Sequence, residues 1–285
     1  MNVRASKALP LLVAIVGCLL SPVPGVQAHG ELDELINEAS REINGNPRDP
    51  QLYLKRAELK RLHREWDAAL ADLDRADSLS NQWHVLHFVR ARVLLDAEWF
   101  QSAKVAADRF LAREPNHIEA LLTRARAKVK LGEREGAADD YSRAIAHTTM
   151  PMPELYLERA QALAEDGGQH LDKALEGLDQ GITNLGPVVT LQLAAIDLEV
   201  KRNRLDAALA RLDAAMAQSP NKEIWLARRG DVLRKGGRNQ EAAEAYTAAL
   251  QVFEKLLPAR RAVPAMADWE KRTRAALAEL AKGGR

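Results

Sequence analysis

His84 and His87 stand three residues apart, a spacing that would set two imidazoles on one face of a helix and supply half of a zinc or copper site. No third ligand lies nearby in sequence, so packed or surface histidines are the better reading. His29 offers a second metal chemistry. Cleavage after Ala28 would give it a free α-amine beside its imidazole, a chelating pair for copper that still needs another histidine placed by the fold. The chain has no glycine-rich phosphate loop, no nucleophile elbow and no paired-cysteine pattern, the features that would announce nucleotide, acyl-transfer or structural zinc chemistry. The expectation is a non-enzymatic protein with no cofactor and no metal site.

The chemistry that does recur is that of arginine. Arg56, Arg90, Arg124, Arg159 and Arg229 return at near-regular intervals, with Ala195 breaking the series. One reading is a basic ladder for an acidic ligand. The favoured one packs each arginine stem within the protein and pairs its head with a carboxylate such as Asp72 or Asp140.

A recurrence of this kind needs repeated elements to carry it. "PQLYLKRAEL" at Pro50 returns as "PELYLERAQA" at Pro153. Alanines mark the period: Ala69, Ala103 and Ala137 are 34 residues apart, as are Ala174, Ala208 and Ala242. Three extra residues separate the two sets, one before Pro153 and two in the turn "EDGGQH". Six copies follow, over 50–83, 84–117, 118–152, 153–188, 189–222 and 223–256. Each holds two helical patterns joined by a polar turn. Small residues fall at position 8 (Ala57, Ala91, Ala125, Ala160, Gly230, with Ile196 the exception), at position 20 (the alanines above) and at position 27 (Ala76, Ala144, Gly181, Ala215, Ala249, with Phe110 out of line). Small side chains at such places let two helices approach closely. Larger residues fill the flanks, among them Trp66 and Phe100 at position 17 and Leu73, Tyr141 and Tyr246 at position 24. The recurring arginines occupy position 7, on the packed side of the first helix.

These positions, with prolines Pro47, Pro115 and Pro220 near the repeat end and turn glycines Gly132 and Gly237, resemble the tetratricopeptide repeat, a helix-turn-helix unit. The resemblance covers residues 50–256. It implies an all-α fold, a right-handed α-solenoid of about six helix pairs. Residues 29–49 would form an N-terminal capping helix with Leu32, Leu35, Ile36, Ala39 and Ile43 along one stripe. Residues 257–285 would form a C-terminal capping helix and tail, with Trp269, Ala275, Leu277 and Leu280 available for packing. Capping is expected because an open solenoid end exposes apolar surface.

The resemblance further implies a concave face lined by first helices. Its candidate partner-binding residues are Leu54, Glu58 and Arg61; Phe88, Arg92 and Asp96; Leu122 and Arg126; Leu157 and Glu158; Leu193 and Asp197; Arg228 and Asp231. Apolar residues interleaved with both signs of charge suit an extended or helical peptide. The lysine and asparagine with which chaperone-docking members of the family hold a carboxylate are replaced by Leu54 and Glu58 in the first repeat, so that clamp does not carry over.

Composition agrees with a helical, water-facing chain: 28% charged, 5% aromatic and a formal net charge of +1. So balanced a charge gives no field to draw the protein onto nucleic acid or anionic lipid. Residues 1–28 differ. Arg4 and Lys7 precede the apolar run Ala8 to Leu20, and Val26 and Ala28 occupy the small-residue sites of a cleavage signal, the pattern of a secretory signal peptide. "IVGC", ending at Cys18, offers lipoprotein anchoring as the alternative. The apolar run is short for a bilayer span, and the mature chain is expected to have none. The resulting expectation is a periplasmic or secreted scaffold that binds an unidentified protein or peptide. The alternative is an accessory to a secreted enzyme or polysaccharide export system, and neighbouring genes would separate the two.

Overall fold

A computed structural model describes residues 25–283 apart from 81–82 and 166–167. Cys18 and most of the predicted signal peptide lie outside the described residues, as do the side chains of Ala28 and His29. All regular elements among the described residues are α-helices. Two compact units are present, one ending at Trp99 and one beginning at Phe100.

The first unit contains α1 (Gly25–Gly45), α2 (Pro50–Leu62), α3 (Trp66–Ser80) and α4 (Val85–Asp96). Asp49 caps α2 by accepting the Gln51 N–H at 2.9 Å, and Pro50 takes the first turn, where its missing N–H costs nothing. Ile43 of α1 joins Tyr53, Leu73, Leu86, Val89 and Val93 in one core. On α1 the buried stripe runs through Ala39 and Ile43, while Leu35, expected on it, is exposed.

The second unit contains α5 (Phe100–Leu111), α6 (Ile118–Lys130), α7 (Arg134–His147), α8 (Pro153–Ala164), α9 (Leu171–Leu185), α10 (Val189–Lys201), α11 (Leu205–Gln218), α12 (Glu223–Lys235), α13 (Asn239–Glu254), α14 (Pro258–Arg261) and α15 (Pro264–Gly283). Consecutive helices pack in pairs, and α15 closes the end against α13 and α12. Leu277 and Leu280 pack on the core of Leu212, Trp225 and Tyr246, and Trp269 packs on that of Leu250 and Phe253. Ala275, expected to pack, is exposed, whereas Thr273 and Ala276 are buried. The inward stripe of α15 therefore runs Trp269, Thr273, Ala276, Leu280, as helical spacing from Trp269 requires.

The periodic small residues sit where helices cross. All six position-20 alanines are fully buried. At position 27 the Tyr156 ring lies over Gly181, and at position 8 the Tyr246 ring lies over Gly230. The turn inside each pair also repeats. Position 15 has a left-handed backbone at Arg64, Glu98, Gly132, Asn203 and Gly237. The next residue donates its N–H five residues back: Glu65 to Lys60, Trp99 to Leu94, Glu133 to Lys128, Arg204 to Glu199 and Arg238 to Leu233, all at 2.8–3.0 Å. This is the Schellman closure of a helix end. Three non-glycine residues adopt that strained backbone because these hydrogen bonds close the same turn around them.

Candidate functional site

The predicted first-helix residues are brought together within each unit, chiefly by pairing with one another. In the first unit Glu58 of α2 accepts from Arg92 of α4 at 2.8 Å and from Arg61 at 2.9 Å. Arg61 also reaches Asp96. Burial opposes the charge of Arg61, but Glu58 and Asp96 outweigh it and raise its pKa. Arg92 lies over the Phe88 ring, 5.6 Å from its centre, a favourable cation–π placement.

In the second unit Arg126 of α6 makes two parallel hydrogen bonds to Glu158 of α8, both 3.0 Å. The Tyr141 hydroxyl donates to the same carboxylate at 2.8 Å. Burial pushes Glu158 upward, yet donation from Arg126 and Tyr141 wins and its pKa falls below the usual carboxylate value. Burial, then donation to Glu158, pushes the Tyr141 phenol above its ordinary pKa. Further along, Arg228 of α12 pairs with Asp197 of α10 and contacts Asp231 at 3.4 Å, while Tyr246 donates to Asp231 at 2.8 Å. Phe88, Leu157 and Leu193 are half-buried. Leu54 and Leu122 differ from expectation: both are buried, and Leu54 belongs to the first unit's core.

Ion pairs thus bridge successive first helices, Glu58 to Arg92 over 34 residues and Arg126 to Glu158 over 32. Both signs are therefore matched within the chain at these helices. Such surfaces confer specificity and register more than raw affinity.

Four of the five position-7 arginines, Arg56, Arg90, Arg124 and Arg229, follow the favoured reading, and Arg159 does not. Arg56 forks onto Asp72 (2.8 and 2.6 Å) and Arg124 onto Asp140 (2.8 and 2.6 Å). Lys60 and Lys128 at position 11 complete each clamp. Arg90, Arg124 and Arg229 also reach back to the preceding second helix, at Asp74, Asp108 and Asp213. In the fifth repeat, where Ala195 replaces the arginine, the polarity inverts. Buried Glu199 takes position 11 and Arg211 takes position 23, holding Asp179 at 2.7 and 2.8 Å and Glu199 at 3.4 Å.

The tetratricopeptide repeat-like domain family matches residues 157–265, and the tetratricopeptide repeat family matches residues 122–176. The chain belongs to the tetratricopeptide repeat (TPR) family. Its fold is similar to that of solved TPR proteins. One is the C-terminal part of a TPR repeat-containing protein from Cytophaga hutchinsonii, at 14% identity and TM-score 0.62 over 83% of this chain and 96% of that one. Another is YrrB, described as a TPR protein with an unusual peptide-binding site, at 21% identity and TM-score 0.51 over 64% and 93%. A third is a TPR protein from Parabacteroides merdae, at 16% identity and TM-score 0.51 over 87% and 94%. A comparison with curated protein sequences gives no match.

Within this TPR chain the hydroxyls of Tyr141 and Tyr246 are anchors that the repeat pattern alone does not disclose, since position 24 reads there as space filling. The available signal is tyrosine rather than phenylalanine at that position, with an acid on an adjacent first helix. Among the described residues, no group of three His, Cys, Asp or Glu is placed to hold a metal ion, and no helix is long and apolar enough to cross a membrane.

Proposed function

We propose that this TPR protein is an exported, non-catalytic scaffold of a bacterial envelope that binds a partner polypeptide along the concave face of its first helices. The observation that carries this reading is the series of partly exposed ion pairs linking first helices, with half-buried Phe88, Leu157 and Leu193 beside them. On the second unit, a partner segment with alternating charge and apolar side chains would exchange salt bridges with Arg126 and Arg228 while covering Leu157 and Leu193, and Arg92 with Phe88 offers the same chemistry on the first unit. Export rests on the signal-like residues 1–28, and the peptide-binding site of YrrB supports a polypeptide as the ligand class.

The test is affinity capture from envelope extract by the wild-type protein and by Arg92→Glu/Arg126→Glu. Selective loss of a bound protein from the variant, with its helicity unchanged, is the expected result. Identical captured sets would refute the role of these faces.

A further inference from the structure

Arg159 is the position-7 arginine with no carboxylate partner. It is 8% exposed, and no ion pair reaches it among the described residues. Its Nη2 donates to the Gly177 carbonyl at 2.9 Å and to the Gln180 side-chain oxygen at 2.8 Å, and its Nη1 contacts Ser142 Oγ at 3.3 Å. Its guanidinium stands 5.4 Å from the Tyr156 ring centre.

The other repeats show what is absent. Ser142 occupies position 25 of its repeat, where Asp74, Asp108 and Asp213 hold the other arginines. Allowing for the two-residue turn insertion, Gly177 occupies position 23, where Asp72 and Asp140 do so. Neither internal counter-ion is present at these two positions, whereas the arginine is. Burial without a carboxylate lowers its pKa, a cost that a bound anion would relieve. Arg159 reaches the floor of an open groove of about 480 Å³ between α7, α8 and α9, with Lys173, Glu135, Asp139 and Glu176 also on its walls. Lys173 is already matched by Glu135 at 2.9 Å.

We infer that this groove is a second binding site, taking one acidic side chain of a partner polypeptide at the groove-facing edge of the Arg159 guanidinium, which itself fills the space beside Gly177. The single unmatched cation calls for a monoanion, and the planar guanidinium fork suits a carboxylate. Glu135, Asp139 and Glu176 repel any anion, a dianion such as phosphate most strongly, and favour a basic residue next to the bound acid. On entry the carboxylate displaces the Gln180 amide from Nη2. The site does not depend on the first-helix reading, because Arg92→Glu/Arg126→Glu leaves it intact.

The test is titration of the full chain with acetyl-Ala-Lys-Glu-Lys-Ala-amide, its Gln counterpart, acetyl-Ala-Lys-Lys-Ala whose only carboxylate is its free C-terminus, and inorganic phosphate. Binding is followed at the Arg159 Nε–H resonance. Ser142→Asp, which restores an internal counter-ion of the kind Arg90 and Arg124 have, is measured in parallel and needs no loss of Arg159. The expected result is a Glu peptide at least tenfold tighter than the other three probes, with that preference abolished in Ser142→Asp. Equal affinities for the Glu and Gln peptides, tighter binding of phosphate or of the free C-terminus, or an unchanged preference in Ser142→Asp would each overturn the assignment.

Discussion

Asp140 is the most demanding test of how the repeats are held together. It is 2% exposed and accepts from Arg124 twice and from Lys128 once. Removing one partner of a buried ion pair costs about 3–5 kcal/mol, because the other charge remains buried. Here both cations keep a second partner, Arg124 at Asp108 (2.7 Å) and Lys128 at the Gly136 carbonyl (3.1 Å). That relief lowers the expected cost of Asp140→Ala to about 2–3 kcal/mol. The chain itself supplies the compensated alternative. Positions 11 and 23 are Leu94 and Ala106 in the second repeat and Leu233 and Ala245 in the sixth, all buried, with Arg90 and Arg229 kept on Asp74 and Asp213. Lys128→Leu/Asp140→Ala recreates that arrangement and should recover to within about 1 kcal/mol of wild type, since apolar replacement of a buried pair is often neutral. The assay is urea unfolding by far-UV circular dichroism, with hydrogen exchange across α6 and α7 to localise the effect. Urea is chosen because guanidinium salts screen charge. A double variant as unstable as Asp140→Ala would refute the view that Lys128, left with only a carbonyl partner, carries the cost.

Two further substitutions follow from close contacts. Gly230→Ala places a Cβ 2.4 Å from Tyr246 Cε1. Overpacking of about 1–3 kcal/mol should exceed the roughly 1 kcal/mol gained in helix propensity, so thermal unfolding shifts downward. Gly136→Ala, whose Cβ meets only the Lys128 side chain, its Nζ at 3.3 Å, is the milder comparison: Lys128 must shift within its Asp140 clamp, and the downward shift should be smaller than for Gly230→Ala. Glu270 accepts from Arg261 at 2.7 and 2.5 Å and from Arg274 at 3.2 and 2.8 Å, and Arg261 first, then Arg274, hold its pKa down to about 2. A carboxylate with a folded pKa below its unfolded value of about 4.3 contributes stability that is complete above that value and lost as pH falls toward 2. Glu270→Gln should therefore be less stable at pH 7 and lose less on acidification through that window, read as the pH dependence of the urea midpoint.

Helix positions and crossing points were legible because they depend on small residues at fixed spacing. Ala57, Ala69 and Ala76 name a crossing whatever their neighbours are. The partners of the position-7 arginines were legible at Asp72 and Asp140, which fall one turn-linked helix away within the same repeat. The inverted pair of Glu199 and Arg211 was not, because conserving an interaction while reversing its polarity leaves no recurring letter. Left-handed turns were readable at Gly132 and Gly237 but not at Arg64, Glu98 and Asn203, where the closing hydrogen bonds impose a backbone that residue type does not announce. Burial of Leu54 and Leu122 likewise depends on neighbouring side chains rather than on their repeat position.

The proposed polypeptide-binding face is tested most directly by a photo-crosslinking residue placed at Leu157 on the first helix of its repeat and, as control, at exposed Glu244 on a second helix. The two proteins are compared in envelope extract. A defined crosslinked partner at 157 that is absent at 244, and that disappears in Arg126→Glu, is the predicted result. Equal crosslinking at both sites, or crosslinking at 244 alone, would contradict it.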